Sequence, residues 1–143
     1  MANIVPFSFK GELASGTHNF ASGGNTFKLA LYTANPYTTS STTKVATNEV
    51  SSAGGSNYTA GGNTLTGQSV TATTATTAID FADTSWSSAT FTAAFGAIYD
   101  TSASDKLVVV LDFGGNKTAT NGTFTIAFPD AATPSNAIIS ITS

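Results

Sequence analysis

There is no cysteine among the 143 residues, which excludes disulfide staples, thiolate metal sites and a cysteine nucleophile together. Charge is scarce as well. Only 9% of residues are charged, against about a quarter in an ordinary globular chain. The five basic residues, Lys10, Lys28, Lys44, Lys106 and Lys117, are spread singly along the chain. They offer no basic stripe to a phosphate backbone, so no nucleic-acid partner is expected. No apolar run reaches membrane-spanning length, and Met1 to Pro6 has neither the basic nor the apolar region of a signal peptide. A soluble chain made in the cytoplasm, with no membrane partner, is the expectation.

What the chain does have is Thr, Ala, Ser and Gly in quantity, together with ten Phe. A Ser/Thr/Gly-rich chain with few apolar residues would stay disordered, but the Phe and the β-branched residues supply the burial that such chains lack. The length suits one domain with its own core.

The pattern is organised around 91–115. Phe91 to Tyr99 alternates with period two, placing Phe91, Ala93, Phe95, Ala97 and Tyr99 on one face. The polar turn 100–105 follows, then Leu107 to Leu111, apolar at every position. These predict a β-hairpin whose second arm is covered on both faces and lies in the middle of a core.

Ahead of the hairpin, Ile4 to Phe9 is apolar but broken by Pro6, which predicts an edge strand or extended arm over 1–9. Residues 10–143 are then the domain proper. Lys10 to Ser15 has room for one helical turn stopped by Gly16. Thr26 to Tyr32 reads as a strand with Phe27, Leu29 and Leu31 inward. The polar connection 33–44 is long enough to imply a job or hidden structure, and 45–67 carries only strand fragments. Ser69 to Phe81, rich in Thr, reads as one strand with a wet face. Gly114-Gly115 and Asn121-Gly122 read as turns, the second as a hairpin dipeptide before a strand at 123–128. A last strand is expected over 137–141. Roughly eight short strands with almost no helix predict an all-β, mostly antiparallel β-sandwich or jelly roll in a single domain, with a closed barrel as the alternative.

Chemistry is harder to find. His18, the single histidine, lies in a polar loop with no serine elbow and no second histidine, so it reads as a surface or loop-pinning residue. Asp80, Asp83, Asp100, Asp105, Asp112 and Asp130 flank turns and lack the ladder of a calcium loop. Gly-Gly-Asn at 23, 61 and 114 precedes β-prone residues where a phosphate cradle would need a helix. The Thr-rich run 71–77 lacks the fixed period of an ice-binding solenoid. Trp86, Tyr37 and Tyr58 in loop-like positions suggest a sugar-stacking platform, with partly buried core residues as the commoner reading of such aromatics. No catalytic residue, cofactor or metal ligand emerges, and an enzyme is not expected.

Several stretches together resemble a family of small structural proteins of tailed bacteriophages. They are Phe9-Lys10 through Gly16-Thr-His-Asn-Phe20, Thr26 to Thr33, Tyr58 with Gly61 to Leu65, and Ile79 to Asp83 with Trp86. Ala97-Ile-Tyr99, Val109 to Gly115 and Gly122 to Ile126 complete the set, and only 34–57 shares no pattern. The resemblance implies a virion protein without catalytic activity, made in the host cytoplasm. Capsid decoration (cement) is the favoured placement. A tail- or fibre-associated protein, or a carbohydrate-binding β-sandwich module, is the alternative. It also implies other virion proteins as partners, the major capsid protein first, and a homo-oligomer, by family analogy a trimer. Ile4, Val5, Phe7 and Phe9 are the expected subunit interface, because an apolar arm broken by proline is better buried against a neighbour than left exposed. The alternative is an arm folded back to cover the edge of its own sandwich.

Overall fold

The computed structural model describes residues 2–130 and 137–142; Met1, at the head of the predicted arm, lies outside them. The chain is an all-β domain on two antiparallel sheets. Its elements are α1 (Phe7–Ala14), β1 (Phe27–Tyr32), β2 (Asn63–Thr64), β3 (Ser69–Ala72), β4 (Thr76–Asp80), β5 (Thr84–Asp100), β6 (Lys106–Ile126) and β7 (Ile139–Thr142), with a 3-10 turn at Thr101–Ala103. One sheet runs β2-β1-β5-β6 and the other β3-β4-β7.

The four-stranded sheet is buried on both sides where β1 meets the inner ends of β5 and β6. Phe27, Leu29, Leu31, Ile98, Val108 and Val109 join Ile79 and Ile139 of the second sheet in one core. Ala30, Tyr32, Ala97, Tyr99, Leu107 and Val110 form a second core on the opposite face, with Tyr37 over it. Segment 33–62 covers that face with Tyr37 and, at Gly61, under Tyr99, while its Val50 and Tyr58 enter the first core. Covering the face is the job that the length of 33–44 implied. Burial on both faces explains the unbroken apolar run in β6.

The central hairpin forms as expected, with Ile98 opposite Val109 and Asp100 opposite Lys106. Three features of it differ from the sequence pattern. First, β6 is the last strand of its sheet, not a middle one. Its outer edge is covered instead by Ile4, which exchanges backbone bonds of 2.9 and 2.8 Å with Val110, and by Thr42, which accepts from Leu107 N. Second, the alternation of β5 reverses part-way. Phe91 and Ala93 face the first core, whereas Phe95, Ala97 and Tyr99 face the second. Ala93 pairs with Lys117 and Phe95 with Asp112, so Phe113 to Asn116 bulge opposite Ala94 alone and the register slips there.

Third, β6 does not turn at Gly114-Gly115 or Asn121-Gly122. It runs through both. Gly114, Gly115 and Asn121 have φ of 71°, 128° and 46°, and they serve bulges in a continuous strand. The predicted single strand 69–81 is in turn a hairpin of β3 and β4, Ser69 opposite Asp80 and Ala72 opposite Thr77. Its turn has no Gly, Asn or Pro. Thr73 makes it, its N–H and hydroxyl both donating to Thr76 O and its Oγ1 accepting from Thr76 N at 3.1 Å.

The N-terminal segment is a further correction. Only Ile4 pairs at the sheet edge; Pro6 is still extended, and from Phe7 the chain winds into α1, so the helix spans the boundary expected at residue 9. Pro6 is the reason. Its φ of −60° suits the residue that opens a helix, and its missing N–H costs nothing there. Gly16, with φ 75°, ends the helix. Thr17 N donates to Glu12 O and Gly16 N to Leu13 O, the paired bonds of a Schellman stop.

Candidate functional site

The Schellman stop delivers His18 into the interior, where its side chain has no exposed surface. Its Nδ1 lies 2.8 Å from Asp100 Oδ2 and its Nε2 3.0 Å from Glu12 Oε2. Asp100, at the end of β5, is also fully buried, and it accepts from Asn25 Nδ2 at 2.6 Å and Ser102 N at 2.9 Å. Glu12 Oε1 accepts from Lys106 Nζ at 2.8 Å, at the start of β6. One polar cluster thus ties α1, the loop after it and both ends of the central hairpin turn. His18 is loop-pinning, as one of the two readings had it, and it is not on the surface.

Burial pulls the Glu12 carboxyl upward, but hydrogen bonds from Lys106 and His18 outweigh it and hold the group below the usual carboxylate range. Phe9, Phe20 and Phe27 surround the imidazole, with ring centroids 5.4, 6.1 and 6.5 Å away. The two carboxylates lie against opposite nitrogens of the ring, so they do not converge on a common point. Among the described residues no group of three or more His, Asp or Glu is placed to hold a metal ion.

Glu12, Asn25 and Lys106 were not singled out from the sequence. The cluster's members come from opposite ends of the chain, and only the hairpin joins them.

The four tyrosines form a second hydrogen-bonded set. Tyr37 OH donates to Tyr32 OH at 2.7 Å, Tyr32 OH to Val45 O at 2.8 Å, and Tyr99 OH to Gly61 O at 2.7 Å. Tyr58 OH accepts from Leu31 N at 3.0 Å and donates to Glu49 Oε1 at 2.9 Å, standing where another strand would pair with β1. Glu49 also takes Lys44 Nζ and Gly61 N. At Gly62, φ 74°, a Cβ would lie 1.8 Å from Leu29 O, so only glycine lets the segment close onto β1.

Trp86, Tyr37 and Tyr58 are core residues, the commoner reading of such aromatics, and form no sugar-stacking platform on the surface. Trp86 belongs to β5, and Trp86, Tyr37 and Tyr58 are 4%, 4% and 3% exposed. A half-apolar, half-polar ring serves the interior equally well when its polar atom finds a partner, as the Tyr37 and Tyr58 hydroxyls do. Of the aspartates that flank turns, Asp100 and Asp112 cap their own turns, whereas Asp83 bonds across the fold. Asp83 accepts from Phe128 N and Asp112 from Gly114 N, and the latter bond draws the Asp112 carboxyl below its usual range.

The residues expected at a subunit interface separate into two groups. Phe9 is 2% exposed and packs in the chain's own core. It is unavailable to a neighbour because the helix turns it inward against His18 and Phe20. Ile4 is half-buried against β6, while Val5 and Phe7 are 39% and 64% exposed. Beside them a groove of about 480 Å³ runs between α1 and β7, floored by Phe9, Leu13 and Ile139 and rimmed by Val5 and Ile141. A larger groove of about 560 Å³ lies under Phe113, Phe124 and Ile126.

No helix among the described residues is long and apolar enough to cross a membrane. No family model, curated protein or solved structure matches the chain.

Proposed function

We propose that this protein is a structural component of a tailed-bacteriophage particle, a decoration protein that acts by binding the capsid and catalyses nothing. The observation that supports a binding role is the exposure of Phe7 and Val5 beside the apolar groove between α1 and β7. Large apolar side chains grouped at one end of a small domain suit a contact surface. The placement in a phage particle rests on the resemblance of the sequence stretches. On this reading Val5 and Phe7 meet the major capsid protein or a neighbouring copy, and a homotrimer on a capsid threefold is the arrangement that family analogy favours.

Image reconstruction of the purified particle tests the reading. The expected result is a copy number set by capsid symmetry, with the α1 end of the domain against the lattice. A few copies at the tail tip would reassign the protein to the tail, and absence from the particle would end the virion reading. A Phe7→Ser variant should bind capsids poorly, with folding stability changed by about 0.5 kcal/mol or less, because that side chain is mostly in solvent. Full capsid occupancy by that variant would remove the assigned face.

A further inference from the structure

The imidazole of His18 faces a carboxylate oxygen at each nitrogen. Carboxylates only accept, and a neutral imidazole has one N–H to give. Asp100 is committed as an acceptor, since Asn25 Nδ2 and Ser102 N also donate to it. Glu12 is committed by Lys106 at its other oxygen. Both contacts are therefore hydrogen bonds only when the ring carries two protons. The charged groups facing the ring are Glu12 from α1, Asp100 from β5 and, through Glu12, Lys106 from β6; the loop between contributes only the Asn25 amide. With a doubly protonated ring these charges balance. The three phenylalanine rings around it exclude water, so the carboxylates and not the solvent must balance the charge.

We propose that Glu12, His18 and Asp100 form a proton-operated latch that fastens α1 to the end of the central hairpin and releases it when the imidazole gives up one proton. The geometry also says which side opens. Asp100 is wholly buried and tied by two other donors, so Nδ1 keeps its proton. Glu12 is 13% exposed and its partner Lys106 36%, so Glu12 has a path to water. Loss of the Nε2 proton sets a ring lone pair against Glu12 Oε2, so the carboxylate turns from the ring, keeps only Lys106, and the last turn of α1 loosens where His18 had pinned it. The latch concerns the fold alone and stands whether or not the α1 end binds a capsid.

His18 is the single histidine, so its ring nitrogens give one unambiguous pair of NMR signals. The full chain, with nitrogen-15 in the imidazole, is titrated from acid to alkaline pH. Expected at the acid end are two protonated nitrogens. As the pH rises Nε2 loses its proton while Nδ1 keeps its own, and over the same interval the amides of Leu13, Gly16 and Thr17 shift and lose exchange protection. In Glu12→Gln, whose amide can serve either ring state, those amides should no longer follow the ring. A ring with a single proton throughout the folded range overturns the latch, and so does a ring titration that leaves the end of α1 undisturbed. Both readings come from the unaltered chain, so a poorly folding variant does not blunt the test.

Discussion

The two faces of the four-stranded sheet are covered by different physics. Toward the second sheet the cover is phenylalanine. Phe20 stacks on Phe27 with centroids 4.4 Å apart and planes 8° from parallel, Phe81 meets Phe27 edge-on, and Phe91 leans on Phe124. Such contacts are non-directional and scale with the area removed from water. Toward the other side the cover is the irregular segment 33–62, apart from Val50 and Tyr58, which turn into the first core. Its backbone meets the sheet only at isolated bridges, Glu49 with Tyr32 and Thr43 with Lys106. There the hydroxyls of Tyr32, Tyr37 and Tyr99 reach the segment's own carbonyls and amides while their rings fill the space beneath. A sheet face can thus be closed by a loop when each side chain brings both apolar area and a bond for the backbone.

If the comparison is right, the largest loss comes from the phenylalanine side. Phe27 is completely buried, and Phe27→Ala should lower the unfolding free energy in a denaturant titration by about 3–5 kcal/mol. Tyr32→Phe should cost less, about 1–3 kcal/mol, because it leaves the ring in place and strands the Tyr37 hydroxyl and Val45 O. Equal losses would mean that the hydroxyls matter as much as the packed area, and the contrast between the faces would fail. A Tyr32→Phe protein as stable as the parent would mean that water replaces the lost bonds and the segment is not sealed.

Much of this was legible in the sequence where spacing is local. The alternation of Phe27, Leu29 and Leu31, the apolar run at Leu107, the turn before it and the helix stop at Gly16 all follow from periods and turn chemistry within a few residues. Failures came where one local signal serves two structures. Positive-φ residues suit a turn and a bulge alike, so Gly114 and Asn121 did not reveal that β6 continues. At the register shift by Ala94 the faces of β5 also change over, Ala93 to one core and Phe95 to the other, which no period-two count can show. Pro6 marked a broken strand and a helix start with the same residue. The polar cluster was illegible for another reason. Glu12 and Lys106, or His18 and Asp100, have no sequence relation until the hairpin brings them together.

The smallest expected effect is a selective one, on the tyrosine side alone. Burial raises all four tyrosine hydroxyls, most of all Tyr32 and Tyr58; Tyr99 is pushed up to about 12 by burial and then by Asp105 and Glu49. A group raised in the folded state stabilises fully below its unfolded value, near 10, and that contribution is lost as pH climbs toward the folded value. Ionisation also removes a donor. Tyr99 then has nothing to give Gly61 O, and the Tyr37 to Tyr32 to Val45 chain breaks. Segment 33–62 should therefore loosen first in alkali. Trp86, the single tryptophan, lies in the phenylalanine core against Phe91 and Phe124 and reports on the other face. Tyr58 belongs to that same core, stacked on Trp86 at 6.1 Å, and is raised further than Tyr99, so it ionises after it. Tyrosinate absorbance should rise late and steeply, beginning while Trp86 emission still has its buried wavelength. Four tyrosines titrating at the ordinary value would show hydroxyls open to water. A Trp86 shift that coincides with the first tyrosinate would show both faces giving way together, and the division between them would be structural but not energetic.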